Sequence, residues 1–247
     1  MLLEAKDIIV FFENAIAVNE ISICVGESEV VGLFGPNSSG KTTILNVISG
    51  LLLDIQKKEK RRGGQRITIG GKVYFAQRDV TKLWPYNRAK LGIVLCRERH
   101  SIFPESSVEE NLKIAGFVLK RKELRKRIDF VYSIFPPLRE LRNKKAGLLS
   151  GGEQQMLSVS MALMPNPRLL LLDEPLFGLS PAFYSKLLDA IDKIRDNGTS
   201  VLIAEQFAVP VLPLVDRAYI IENGSLVFHG TKEEIVSNTD IYSAYLA

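Results

Sequence analysis

The sequence predicts an α/β protein with a mainly parallel sheet, an antiparallel strand layer near the N-terminus and a helical insert. Three observations carry this expectation. Short β-branched and aromatic runs crowd residues 2–34. Residues 105–167 switch to a helical period. From residue 168 onward, strand and helix signals alternate.

Taken in order, Ile8–Phe12, Ile21–Val25 and Val30–Phe34 read as strands broken by polar or glycine turns. A glycine-rich loop leads into a helix from Lys41 to Ser49, closed by Gly50. Residues 54–66 carry Lys57, Lys58, Lys60, Arg61 and Arg62 and end in Gly63-Gly64, which predicts an exposed, mobile loop. Arg66–Ile69 and Lys72–Phe75 read as a hairpin turning at Gly70-Gly71. Leu91–Cys96 is another apolar run.

Ser107-Val108-Glu109-Glu110 fits a capping box, opening a helix to about Leu119. The basic stretch Lys120–Arg127 leads into a second helix that stops before Pro136-Pro137. Arg168–Asp173 and Ser200–Glu205 read as strands around a helix over Pro181–Asn197. Asn223-Gly224-Ser225 marks a hairpin between Tyr219–Glu222 and Leu226–Phe228, and Thr231-x-x-Glu234 caps a last short helix.

Composition narrows the class. Of the 247 residues, 46% are hydrophobic and 24% charged, which excludes disorder, collagen and coiled coil as overall readings. The net charge of +4 suits an anionic ligand without requiring nucleic acid. Cys24 and Cys96 lie far apart and join no Cys/His cluster, so neither a disulfide scaffold nor a zinc module is expected. The start of the chain lacks a signal peptide's pattern, and no run of about 18 apolar residues occurs. The expected setting is cytoplasmic.

Gly35-Pro36-Asn37-Ser38-Ser39-Gly40-Lys41-Thr42-Thr43 matches G-x-x-x-x-G-K-[ST], between an expected buried strand and an expected helix. Such a loop turns several backbone N–H groups toward one anion, and the helix start adds a partial positive charge. Lys41 then reaches the β/γ-phosphates of a nucleotide, and the Thr42 hydroxyl suits Mg²⁺. Leu169-Leu170-Leu171-Leu172-Asp173-Glu174-Pro175 reads as a central strand ending beside the ligand crevice. There Asp173 suits Mg²⁺, and Glu174 is placed to act as general base on an attacking water. Both a kinase or switch-type NTPase and a motion-coupled ATPase remain compatible with these two motifs alone.

Leu149-Ser150-Gly151-Gly152-Glu153-Gln154-Gln155 precedes the Asp173 strand by about twenty residues and opens a helix with a capping box. A glycine-rich helix start of this kind also offers N–H groups to an anion. With this segment, the order of motifs resembles the nucleotide-binding subunit of ATP-binding cassette (ABC) transporters. Gly178-Leu179-Ser180-Pro181 resembles that family's D-loop. Ile102-Phe103-Pro104-Glu105, Val108-Glu109-Glu110-Asn111-Leu112, Leu141 to Gly147 and Tyr219 to Gly224 resemble the LivF-type ATPases of branched-chain amino-acid importers. The resemblance covers nearly the whole chain.

The resemblance implies a P-loop NTPase core over residues 1–104 and 168–247, including the β subdomain, and a helical signature subdomain over 105–167. It implies a head-to-tail dimer with two ATP molecules, each held by one subunit's P-loop and the other subunit's Ser150, Gly151 and Gly152. It also implies membrane permease subunits seated beside residues 100–120, and indirectly an extracytoplasmic solute-binding protein. The chain itself would be peripheral on the inner face of the membrane. Phe12 stands where the family stacks an aromatic on adenine.

Three positions depart from the common pattern. Glu98 replaces a glutamine expected to touch Mg²⁺; a carboxylate remains a suitable ligand, and an ion pair with Arg97 or Arg99 is the alternative. Gln206 replaces a switch histidine and can bond a γ-phosphate without titrating near neutrality. Ser38-Ser39 replaces a smaller pair in the loop. The expected activity is therefore Mg²⁺-dependent ATP hydrolysis driving amino-acid uptake. The alternatives are a soluble ABC-type ATPase in DNA, ribosome or cofactor-assembly work, a urea or amide importer, and a lipopolysaccharide extractor. One cassette without a coiled-coil insert or an aromatic-interleaved basic patch argues against a nucleic-acid partner.

Overall fold

The computed structural model describes residues 1–64, 66–97 and 102–245. Its first sheet is antiparallel and holds β1 (Leu3–Phe12), β2 (Ala15–Val25), β4 (Ile67–Phe75) and β5 (Arg78–Asp79) in the order β2-β1-β4-β5. The second sheet holds β3 (Val30–Phe34), β6 (Ile93–Cys96), β7 (Leu169–Asp173), β8 (Ser200–Glu205), β9 (Arg217–Glu222) and β10 (Ser225–Thr231). Its order is β10-β9-β3-β8-β7-β6, parallel from β9 to β6, with β10 as an antiparallel edge.

Side chains alternate between the two faces of a strand, and the central strands bury both faces. Val30, Phe34, Leu170, Leu172, Val201 and Ile203 join one apolar cluster. Their neighbours Val31, Leu33, Leu169, Leu171, Leu202 and Ala204 join the other, with the antiparallel sheet. α1 (Lys41–Ser49) packs in this second cluster through Ile44, Leu45 and Ile48. α4 (Val108–Ala115), α5 (Arg121–Ile134), α6 (Pro136–Glu140) and α7 (Gly151–Leu163) lie between β6 and β7 in sequence and contribute to the first cluster. α8 (Pro181–Asp196) joins them there, and α9 (Lys232–Ser237) and α10 (Thr239–Tyr245) close the chain. The capping boxes expected at Ser107, Ser150 and Thr231 are all present.

Two local expectations are corrected. Most of the basic segment 54–66 is helix, not loop: α2 spans Leu51–Arg61. Leu52 is buried, Asp54 and Lys58 pair one turn apart at 2.7 Å, and Lys57 sits 4.2 Å from the Trp84 ring centre. These contacts hold a charged helix that composition alone reads as loop. Likewise, Gly70-Gly71 is no hairpin turn, because β4 runs through it along β1. The pairing register shifts between Lys6 and Ile9. A Cβ on Gly71 would stand 2.6 Å from the Lys6 carbonyl oxygen and 2.5 Å from that of Asp7, so glycine marks a bulged crossing of two backbones.

The short α3 (Pro85–Leu91), opened by a proline and closed by left-handed Gly92, anchors the P-loop helix. Its Arg88 is 1% exposed and donates to Val47 O, Ile48 O, Thr81 O and Leu83 O at 2.7–3.0 Å. Val47 and Ile48 belong to the end of α1, where carbonyls lose their intrahelical partners. The guanidinium thus caps α1 from outside, and burial draws its pKa down to about 10.

Candidate functional site

The parallel strands β3, β7 and β8 end along one edge of their sheet, and each delivers polar residues there. After β3, the loop Gly35–Gly40 turns back to start α1. Gly40 has φ +106, and a Cβ there would meet the Ala17 carbonyl oxygen at 2.6 Å, so the loop closes against β2 only with glycine. Asn37 through Thr43, with Ala17, Glu174 and Phe177, line an open cavity of about 550 Å³. The Ser39 hydroxyl lies buried at its lining without a hydrogen-bond partner among the described residues.

Lys41 is 3% exposed. Its ammonium donates to Gly35 O and Pro36 O, both at 2.9 Å, and lies 3.4 Å from Glu174 Oε1. Thr42 Oγ1 donates to Asp173 Oδ1 at 2.9 Å. Four residues named from two motifs more than a hundred positions apart therefore converge. Glu174 follows β7 with φ 45, in the left-handed region. Such a backbone conformation is uncommon outside glycine and recurs at functional sites.

Gln206 follows β8 and borders a smaller cavity of about 150 Å³ with Glu174, Phe177, Gly178, Tyr184 and Phe207. Glu174 is common to both cavities. Glu205, the last residue of β8, also borders the smaller one, and it is 2% exposed. Burial pushes its carboxyl up to about 7; the nearby Glu174 adds to that, while N–H groups of Leu176 and Gln206 and the charge of Lys41 oppose it. No sequence motif assigns Glu205 a role. The one signal it carries is that of a carboxylate ending an otherwise apolar strand.

The structure does not bring every expected residue to this cavity. Ser150, Gly151 and Gly152 begin α7 and do not line it. Ser150 caps that helix, accepting from Glu153 N at 3.4 Å, while Glu153 Oε2 accepts from Ser150 N at 2.8 Å. A Cβ on Gly151 would meet nothing within 4 Å, so the approach is open there, whereas a Cβ on the buried Gly152 would run into the Phe183 ring. Phe12 ends β1, is 38% exposed, and is absent from the cavity lining. Glu98, with Arg99, lies outside the described residues. Cys24 and Cys96 are both free thiols. Among the described residues, no helix is long and apolar enough to cross a membrane.

A family model described as ABC transporter matches residues 18–177. The chain is 34% identical over 230 residues to the high-affinity branched-chain amino acid transport ATP-binding protein BraG of Pseudomonas aeruginosa, covering 93% of each. It is 35% identical over 220 residues to the probable branched-chain amino acid transport ATP-binding protein LivF of Archaeoglobus fulgidus, covering 89% of this chain and 87% of that one. It is also 30% identical over 248 residues to the lipopolysaccharide export system ATP-binding protein LptB of Haemophilus influenzae, covering 99% and 97%. The ADP conformation of MJ1267, an ATP-binding cassette of an ABC transporter, superposes with a TM-score of 0.84 at 26% identity, covering 99% of this chain and 98% of that one.

Proposed function

The chain belongs to the ABC transporter family as its ATP-binding, ATP-hydrolysing subunit, and we propose that hydrolysis here drives uptake of branched-chain or related amino acids through separate membrane permease subunits. The observation that carries the chemistry is the convergence of Lys41, Thr42 and Glu174 on one cavity, with Asp173 bonded to Thr42 behind its lining. The solute class is supported by the similarity to BraG and LivF.

In this reading, backbone N–H groups of Gly35–Thr43 cradle the phosphates, and Lys41 exchanges its carbonyl and carboxylate partners for β/γ-phosphate oxygens. Thr42 and Asp173 already place two hard oxygens 2.9 Å apart, which suits an ion that takes few protein ligands beside phosphate and water. Bound there, with Glu98 as a further ligand, Mg²⁺ supplies neutralisation of phosphate charge. Glu174 accepts the proton of a water whose oxygen attacks the γ-phosphorus, as the bond to the ADP oxygen breaks. Gln206 donates an amide N–H to the γ-phosphate and takes up no proton. Phe12 stacks on the adenine.

The helix start at Ser150, Gly151 and Gly152, open at Gly151, contacts the nucleotide held by a second ATPase subunit, either a copy or a sister chain. Permease subunits seat beside residues 100–120, a solute-binding protein delivers cargo outside, and the chain works on the cytoplasmic face. Domain division follows the same reading, with the signature carried on a helical subdomain over 105–167.

The test has two readouts. Purified protein should hydrolyse ATP only with a divalent cation, and co-expressed permease subunits should take up leucine, isoleucine or valine in an ATP-dependent way. Hydrolysis without amino-acid uptake, but with lipopolysaccharide release, would replace the importer reading by the LptB-like one. Turnover that persists in Lys41→Ala would remove the site assignment itself.

A further inference from the structure

β8 carries buried Val201, Leu202, Ile203 and Ala204 and then ends in Glu205. A buried carboxylate is costly unless hydrogen bonds compensate it. Here Oε1 accepts the Leu176 N–H at 2.8 Å, and the Gln206 N–H also favours the charged form. The end of β8 is thus tied through one side chain to the backbone of the segment after β7.

The hydrogen bonds of residues 174–176 have few places to go. Glu174 N–H donates to Ala204 O at 2.9 Å, which continues the ladder by one step. Pro175 has no N–H to give. The Leu176 N–H goes to Glu205. Every backbone donor of the turn that carries Glu174 is therefore tied to the last two residues of β8. Beyond it, Phe177 N–H returns to Glu174 O and Leu179 N–H to Leu176 O, both at 3.1 Å, so the turn continues to Gly178 from these anchors.

We propose that Glu205 is a positioning residue for hydrolysis: by accepting the Leu176 N–H it sets the turn that aims Glu174, and it links movement of Gln206 to the Leu176–Gly178 segment. This rests on the reading of Glu174 as base and Gln206 as phosphate sensor. Glutamine at 205 keeps an acceptor for Leu176 without the charge, whereas alanine removes the acceptor and leaves a buried N–H unpaired.

The test compares Glu205→Gln and Glu205→Ala in the full chain, reading kcat, KM for ATP and direct ATP affinity. Expected is a roughly 10–100-fold loss of kcat in the alanine variant, since small misplacements of catalytic groups cost that much. Its ATP affinity should stay within about twofold, and the glutamine variant should keep kcat within about threefold. Wild-type kcat in Glu205→Ala, or equal loss in both variants, overturns the proposal. Hydrogen exchange of the Leu176 amide in the unaltered chain tests the same contact without a variant that must fold. Slow exchange is expected, and exchange at the rate of an open loop overturns it. A wild-type chain that neither binds nor hydrolyses ATP would sink the ATPase reading instead, and the Leu176 amide would still decide whether the contact exists.

Discussion

The Lys41 ammonium stands 3.4 Å from Glu174 Oε1, so the residue that would hold phosphate and the residue that would activate water are ion-paired across the cavity. Both are largely buried, which makes the pair stronger than a surface contact and makes either charge costly when alone. Two carbonyls of the loop share the same ammonium. An incoming triphosphate must out-compete all three partners.

That exchange separates two variants. Lys41→Ala removes the ammonium that the loop carbonyls hold in place and is expected to abolish ATP binding. Glu174→Gln keeps the loop intact and removes the base; ATP should still bind, with hydrolysis down roughly 10²–10⁴-fold. A fluorescent-nucleotide titration beside a phosphate-release assay distinguishes them. Normal turnover in Glu174→Gln would move the base elsewhere.

Gln206 borders the cavity it shares with Glu174, but its amide cannot accept a proton near neutral pH. Gln206→Ala should therefore slow turnover less than Glu174→Gln does. Phosphate release from the two variants, measured side by side, decides this. Equal loss would show that the amide is as necessary to the chemical step as the carboxylate.

Ser150, Gly151 and Gly152 start α7 away from the P-loop cavity of their own chain. A site that needs both must be completed by another subunit. Glu174→Gln protein should double in mass by light scattering when ATP and Mg²⁺ are added, because bound ATP is no longer consumed. A monomer that binds ATP under the same conditions would assign the completing segment to a sister ATPase.

Residues with narrow chemical or backbone requirements are legible in the amino-acid sequence alone. The P-loop, the Leu169–Glu174 strand end and three capping boxes fall where their spacing places them. What escapes depends on contacts between distant segments. A run of lysines and arginines reads as solvated loop until Trp84 and Asp54 are seen beside α2. Gly70-Gly71 reads as a turn until the backbone of Lys6-Asp7 is seen crossing it. Arg88 and Glu205 are ordinary charged residues in the sequence; only burial reveals that each organises several backbone groups. Glu98 falls outside the described residues, so its metal role rests on resemblance alone.

Arg88 supports a stability prediction away from the cavity. Arg88→Met keeps apolar volume but removes the guanidinium donors from the carbonyls of Ile48, Thr81, Leu83 and Val47, the last of which keeps the Gly50 N–H at 3.1 Å. The expected cost is about 3–5 kcal/mol, the usual range when buried, charge-assisted contacts lose one side. Urea unfolding monitored through Trp84 would measure it. A midpoint unchanged from the wild type would mean that those carbonyls find other donors once the guanidinium is gone.

Glu205 makes the stability of the fold depend on pH in a direction opposite to that of a salt-bridged acid. Its carboxyl titrates near 7 in the fold, mainly because burial disfavours the charge, against 4.5 for a free glutamate. Between those values the folded chain binds the proton that the unfolded chain has released. The burial penalty is therefore absent below pH 4.5 and grows as pH rises to about 7, so stability falls across that window. The whole span is worth about 3 kcal/mol. Glu205→Gln removes the titration and keeps the shape. The difference in melting temperature between variant and wild type should thus widen in favour of glutamine from roughly pH 5.5 to roughly pH 8. Parallel curves across that range would mean that the Leu176 and Gln206 N–H groups fully offset burial, and that Glu205 is ionised throughout.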